Sequence, residues 1–455
     1  MSKQKILVSL LVAGGLVSPM AHATNGYFSH GYGMKSKGMA GVGIALPQDS
    51  IAAATNPAGM VMVGDRIDFG VDLFRPVRDA QITSSAFNGF GVGNYSGNHD
   101  STFVIPEFGY NKMINADTSI GVSVYGNGGM NTGYEDLNSR TAGFGAGVNT
   151  ALGASGCVPP ACPVNPNNGV FGSGKLGVDL IQLFVAPTYS VKVTPDQALG
   201  VSLNMVRQMF RAEGLQNFVP FSSTGANNTT NLGYASSSGL GLKIGWTGNV
   251  SPDVTLGATY QTKTKMGKFD KYKGLFAEQG RFDIPETYGL GIAFKATPKT
   301  VIAADIQQIN YSKVTSIGNS VDNLVLLGNP LGADNGAGFN WRDMTVFKLG
   351  VAYEYSKDLT IRGGISTNRQ PIPSRETAFN VIAPGVVENH MTLGATWTFV
   401  NKSELTLGYM HAFKKTINGV RTDMPTQTAP FANFGNGIDL NMTQDSIGIA
   451  YGWKM

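Results

Sequence analysis

Few side chains in this 455-residue chain could do chemistry on a bound molecule. Beyond residue 23 there are four histidines, His30, His99, His390 and His411, and none stands in a nucleophile motif such as G-x-S-x-G. Acyl transfer would need a serine or aspartate within hydrogen-bond reach of one of them. His30 falls in a Gly-rich N-terminal stretch and His99 in a loop. His390 and His411 fall on neighbouring strands at different depths. No catalytic set is therefore expected, and with no pair at ligand spacing neither is a metal or a cofactor. Cys157 and Cys162 form a C-x4-C pair among Pro159, Pro160 and Pro163. In an oxidising compartment they are expected to close a small disulfide loop; with no histidine nearby, a two-thiol metal site is the poorer reading. Gly38, Gly41 and Gly43 invite comparison with a dinucleotide loop, but their order is wrong and no strand precedes them.

The composition says what kind of scaffold carries so little chemistry. Charged residues make up 14% of the chain, against roughly a quarter in soluble proteins. Glycine supplies 60 residues of 455, nearly double the usual share of about 7%. An apolar content of 42% with low charge excludes a disordered chain. Apolar runs of about 20 residues do not recur, which excludes a helical membrane protein. The 34 basic and 30 acidic residues are scattered, so a nucleic-acid partner is not expected. One apolar run opens the chain: Lys3 and Lys5, then Ile6 to Ser18, then Ala21-His22-Ala23. It reads as a secretory signal peptide over 1–23, cut before Thr24.

Elsewhere the chain alternates with period two. Met391, Leu393, Ala395, Trp397 and Phe399 alternate with Thr392, Gly394, Thr396 and Thr398; Tyr288, Leu290, Ile292 and Phe294 alternate with Gly289, Gly291, Ala293 and Lys295. One face is greasy and the other is Gly, Thr and Ser, which suits a barrel with lipid outside and a crowded polar lumen. Short turns at 115–117, 194–196, 251–253, 297–299, 356–358 and 401–402 separate long loops near 78–101, 129–180, 213–238, 267–283, 313–342, 370–388 and 416–443. Six turns and seven loops connect fourteen strands, over 62–77, 102–113, 119–128, 181–193, 197–212, 239–250, 253–266, 284–297, 299–312, 344–355, 358–369, 388–400, 402–415 and 444–454. The expected fold is an all-β, fourteen-stranded antiparallel transmembrane barrel over 62–455 in the outer membrane of a Gram-negative bacterium, with both ends periplasmic. Parity places Asp68, Asp72, Lys243, Lys295, Lys348, Glu354 and Arg362 in the lumen.

Residues 24–61 alternate poorly and are rich in Gly, Ala and Met, with one helix-like piece at Gln48 to Ala54 stopped by Asn56-Pro57. Such a segment can pack its backbone tightly in a confined space. Its order of Ser36, Gly38, Ala40, Gly41, Gly43, Ala45, Asp49, Ala52 and then Asn56-Pro57-Ala58-Gly59 before the first strand resembles the FadL family. That family comprises outer-membrane transporters for long-chain fatty acids and aromatic hydrocarbons. The resemblance implies that 24–61 form a hatch plugging the lumen, with Gly38, Gly41, Gly43, Asn56, Pro57 and Ala58 as its motif. It further implies a monomer, capture of a hydrophobic small molecule by the outer loops, and release sideways through a kink in the third strand.

Candidates for those parts can be named. Gly126, Gly128 and Gly129 follow the third strand's Tyr125 and suit a bend with lost ladder bonds. Leu324, Leu326 and Leu327, with Phe339, put apolar surface in a loop and are candidates for ligand capture. Lys263, Lys265, Lys268, Lys271 and Lys273 run off a strand end toward the outer leaflet, where lipopolysaccharide would be their partner. A diffusion porin is the alternative, using the lumen charges as its constriction; a packed 24–61 segment would deny it a channel.

Overall fold

The computed structural model describes residues 25–83, 91–144, 146, 165–420 and 437–455. The signal peptide over 1–23 and the Cys157–Cys162 pair lie outside them. Fourteen strands form the wall: β1 Arg66–Ile82, β2 Phe103–Asn115, β3 Thr118–Tyr134, β4 Leu176–Thr194, β5 Gln197–Glu213, β6 Ala235–Ser251 and β7 Val254–Gln261. They continue as β8 Thr287–Thr297, β9 Thr300–Ile309, β10 Met344–Glu354, β11 Leu359–Asn368, β12 Asn389–Thr398, β13 Glu404–Ile417 and β14 Ile438–Lys454. Each pairs antiparallel with its neighbours, and β14 returns to β1 from Arg66↔Lys454 to Ile82↔Ile438, closing the barrel. Two short pieces, Gly93–Ser96 and Lys265–Met266, pair with β1 and β6.

The period-two pattern produces this wall because each strand has two solvents. Leu240, Leu242 and Ile244 on β6, and Leu290, Ile292 and Phe294 on β8, stand exposed on the outside. Their sequence neighbours turn inward. Trp397, Phe399, Tyr353 and Trp453 gather on the outer face at the short-turn end, as an aromatic girdle does at a membrane interface.

The inward glycines do more than line a polar lumen: they seat the N-terminal segment. A Cβ on Gly364 of β11 would come within 2.6 Å of the Met39 carbonyl carbon, and one on Gly38 within 3.0 Å of Gly394 Cα on β12. The segment from Asn25 to Gly64 is packed against these inward faces. It contains not one helix but short turns, Met34–Lys37, Ala52–Ala54, Pro57–Gly59 and Met60–Val63. The expected helix over Gln48 to Ala54 shrinks to a single turn because Asp49 Oδ1 accepts from Ile51 N (3.0 Å), and the chain turns there instead of winding on.

Two boundaries differ instructively. The glycines after Tyr125 do not end β3; β4 begins at Leu176, before the expected Ile181, and partners β3 as far as Tyr134↔Leu176. Strand β7 stops at Gln261, and the chain returns to β6 only at Lys265–Met266.

Candidate functional site

The N-terminal segment is held at its periplasmic side by charge. Lys35 Nζ meets Glu404 of β13 at 2.6 Å, and Arg66 joins the same carboxylate at 2.9 Å. Lys37 Nζ meets Asp72 of β1 at 2.8 Å, and Ser446 Oγ donates to the other oxygen of Asp72. These groups are almost wholly buried, so removing one partner leaves an uncompensated charge, worth about 3–5 kcal/mol. Asp68 accepts from Ser50 N and Oγ (2.9 and 2.5 Å), and Asp305 accepts from Gly43 N and Ile44 N (2.8 and 3.1 Å). Lys243 donates to the Ala54 carbonyl, Lys348 to that of His30 (3.2 Å), and Arg362 Nε to Gln48 Oε1 (3.1 Å). Five of the seven charges placed in the lumen by parity thus bond the segment. Lys295 and Glu354 are exposed, close to the short-turn ends of β8 and β10.

The motif residues explain the segment's path. Gly41 has φ +75°, beside the His30 carbonyl, where a side chain would be strained and obstructed. Gly38 touches β12 at Gly394, and Gly43 supplies one of the N–H groups to Asp305. Asn56 caps the turn through Pro57–Gly59, accepting from Ala58 N (3.0 Å) while its Nδ2 donates to the carbonyls of Ile44 (2.7 Å) and Trp246 (2.9 Å). Pro57 and Ala58 lie on Gly200 of β5. Burial, with Asp68 nearby, pushes the Asp49 carboxyl up to about 6. Burial, then the neighbouring His390 and Lys348, holds His30 well below the ordinary imidazole value.

The wall is incomplete between β2 and β3. Their ladder ends at Phe108↔Val124, yet β2 continues to Phe103 beside β1 and β3 to Tyr134 beside β4. Among the described residues, backbone pairing with β3 resumes at the bridge Asn98↔Gly133, through Gly133 N to the Gly97 carbonyl and His99 N to the Gly133 carbonyl. Within this gap the β3–β4 register shifts between Gly126 and Gly128, with Asn127 as the extra residue. The start of the N-terminal segment fills the inner side of the bulge. Ser29 N donates to the Asn127 carbonyl (2.8 Å), and Gly129 N donates to that of Tyr27 (2.9 Å). Gly128 admits this approach because a Cβ there would collide with the Tyr27 carbonyl.

An apolar cavity of about 60 Å³ lies on the loop side of the bulge. Met130 of β3 and Phe210 of β5 face it, with Phe171, Phe218, Phe276, Phe339 and Phe379 brought in by five different loops. Among the described residues its lining holds no charged side chain and one hydroxyl, Ser316. Aromatic contacts run from it to the bulge: Phe276 to Phe282 (5.0 Å), Phe282 to Tyr27 (6.0 Å), Tyr27 to Phe28 (5.1 Å). Phe28 bridges Gly128. Two wider concavities, about 770 and 640 Å³, are bordered by lipid-facing side chains such as Leu290 and Ile244 on the outside of the barrel.

Of the residues proposed for capture, the structure brings Phe339 to the cavity and packs Leu324 partly against the same apolar cluster. Leu326 and Leu327 are 60% and 68% exposed, away from it. Gly126, Gly128 and Gly129 are together at the bulge. His390 and His411 are separated by face and not by depth: Met391 pairs His411, so the two rings point to opposite sides of the wall. His390 instead lies 5.5 Å from His30, ring to ring, while His411 meets Asp445 at 2.9 Å on the outer face. The phenylalanines of the cavity carry no periodicity that singles them out; their one signal is that so many phenylalanines fall in loops.

A closed fourteen-stranded wall with an apolar belt and a buried N-terminal segment defines an outer-membrane β-barrel of the transport class. The family described as outer membrane protein transport protein (OMPP1/FadL/TodX) matches residues 148–454, and the chain belongs to it. Among solved structures, the toluene transporter TodX of P. putida superposes with a TM-score of 0.60 at 19% identity, covering 94% of this chain and 99% of that one. The toluene transporter TbuX of Ralstonia pickettii gives 0.60 at 17% identity, with 94% and 99% covered. A FadL homologue of Pseudomonas aeruginosa gives 0.64 at 14%, again with 94% and 99% covered. No curated protein matches the sequence.

Proposed function

We propose that this protein takes up small uncharged hydrophobic molecules, aromatic hydrocarbons before fatty acids. The ligand would be captured by the outer loops, held in the Phe-lined cavity, and released sideways between β2 and β3. The observation that carries this reading is the interrupted β2–β3 ladder, which lies next to the cavity along β3. A hydrophobic solute favours lipid over water by about 25 cal/mol per Å² of apolar surface, so leaving through the wall is better than crossing a wet lumen. The uncharged lining supports a hydrocarbon, since a carboxylate buried there would lack a partner. The toluene-transporter relatives point the same way. In this reading residues 25–64 plug the lumen, which argues against a diffusion porin, and the barrel acts as a monomer.

Uptake by intact cells tests it. Cells making the protein should accumulate labelled toluene faster than cells without it, and Phe339→Asp should abolish the difference. Faster uptake of a long-chain fatty acid with no effect on toluene would overturn the hydrocarbon assignment.

A further inference from the structure

On β5 and β6 the last exposed lipid-facing apolar side chains are Met205 and Leu240, 47% and 61% exposed; Met209, on the same face beyond Arg207, is half-buried. The ladder carries their row one strand further, since Met205 faces Leu240 and Leu240 faces Lys265. One row above, Arg207 faces Ser238 and donates to Ser236 Oγ at 3.1 Å. Lys263 donates to the Lys313 carbonyl at 3.4 Å, which sets two more cations on this flank. All four side chains are exposed, and among the described residues none of them has an ion-pair partner. Glu286, an acid on the same flank, is engaged by Tyr260 Oη (3.2 Å) and Asn310 Nδ2 (2.8 Å).

The lysine run is not one unit. Lys268 donates to Gln279 Oε1 at 2.8 Å and Lys273 pairs with Asp270 at 3.0 Å. Of this run, only Lys263 and Lys265 lie beside the belt without an ion-pair partner among the described residues, and Arg207 and Lys313, distant in sequence, join them.

We propose that Arg207, Lys263, Lys265 and Lys313 form a docking patch for the lipid A phosphates of lipopolysaccharide. Their level selects this partner. They begin where the apolar belt ends, on the long-loop side, so they stand in the first headgroup layer of the outer leaflet. In a Gram-negative outer membrane that layer is phosphorylated glycolipid. Its acyl chains lie along Met205, Leu240 and Leu242, while long basic side chains reach from the apolar wall to the charged layer. Cations at an anionic surface gain one by one, and an unpaired set gains most.

The test compares lipopolysaccharide retained by protein purified in detergent with a chelator, so that divalent cations cannot bridge. The wild type should retain it, the triple variant Arg207→Glu, Lys263→Glu, Lys265→Glu should lose at least five-fold, and Lys271→Glu, an exposed lysine higher in the loop, should lose none. Toluene binding and heat-dependent gel mobility report whether the triple variant has assembled. If it has not, the glutamine versions of the same three changes are measured instead. Full retention by an assembled triple variant overturns the proposal. So does equal retention of phosphatidylglycerol and lipopolysaccharide by wild-type protein offered mixed vesicles, which would make the patch a general anion surface.

Discussion

The two ends of the N-terminal segment are fastened by opposite physics. From Lys35 to Asn56 it is tied to the wall by ion pairs and hydrogen bonds to Glu404, Asp72, Asp68 and Asp305. From Asn25 to Ser29 it rests on aromatic side chains, Tyr311, Trp341 and Phe282, and on two backbone hydrogen bonds to the bulge in β3. The first kind of attachment is directional, and breaking it strands buried charge. The second adds to hydrogen bonds with Tyr311 Oη and Asn368 Nδ2 a broad non-directional contact, and that contact is the part another apolar molecule can replace. In the proposed function, a hydrophobic ligand arriving from the cavity would compete for the Tyr27 and Phe28 sites while the rest of the segment stays docked.

Removing the whole comparison has the largest effect. Deleting Gly26 to Ala54 should raise single-channel conductance at least ten-fold in planar bilayers if the segment plugs the lumen as proposed; unchanged conductance would mean that the lumen is closed by something else. Next, Gly128→Val sets a side chain where the Tyr27 carbonyl lies. It should cut toluene uptake about ten-fold while the barrel still assembles, and normal uptake would move the exit elsewhere. On the charged end, Asp72→Asn leaves Lys37 buried without its partner. It should loosen the segment by about 3–5 kcal/mol, read as maleimide labelling of a cysteine introduced at the buried Ser36 beside Lys37, with Lys37→Met added to the same chain restoring much of the protection.

The smallest effect is on pH. Asp49, raised to about 6 when docked, binds its proton more tightly in the docked state, so its contribution to docking grows as pH falls from about 7 to 4. His30, held neutral by burial, works the other way, and its contribution is lost as pH falls below the ordinary imidazole range near 6.5. Asp49→Asn removes one contribution that favours docking in acid, so at pH 5 the segment should be labelled faster in this variant than in the wild type, and equal labelling would show that Asp49 does not titrate on docking.

Much of this was legible in the residues, for reasons that differ by region. The fourteen strands could be read because a wall with lipid on one side forces Leu240, Leu290 and Leu393 to alternate with small residues, and Pro, Asp and Asn mark each short turn. The motif from Gly38 to Gly59 could be read because close backbone packing tolerates so few alternatives. The third strand was legible only as a disturbance. Glycine after Tyr125 signals lost pairing, but the loss is on the β2 side alone, and which neighbour keeps its ladder is not written in β3. The cavity was mostly illegible, since Phe171, Phe218, Phe276, Phe339 and Phe379 meet through loops whose ends the barrel brings together. The conspicuous run at Leu324 to Leu327 was the better sequence signal and the poorer guide, as two of its leucines face away from the cavity.

The seam between β1 and β14 has a consequence for how the molecule is made. Seventeen residues of each strand meet in one uninterrupted register. A slip of one position would turn every lipid-facing side chain of a strand inward, so this seam is selected as a whole. The strand that waits longest for its partner is β1, emerging first, and the segment directly before it must end inside. Threading some forty residues, with Lys35 and Lys37 among them, through a finished cylinder would strip water from each charge before it reached its partner. Enclosing them while the sheet is still an open trough avoids this. The order of manufacture that follows is contents first and closure last, so loss of the Lys35 and Lys37 ties should delay sealing of the barrel, read as slower appearance of its heat-modifiable form, without preventing it.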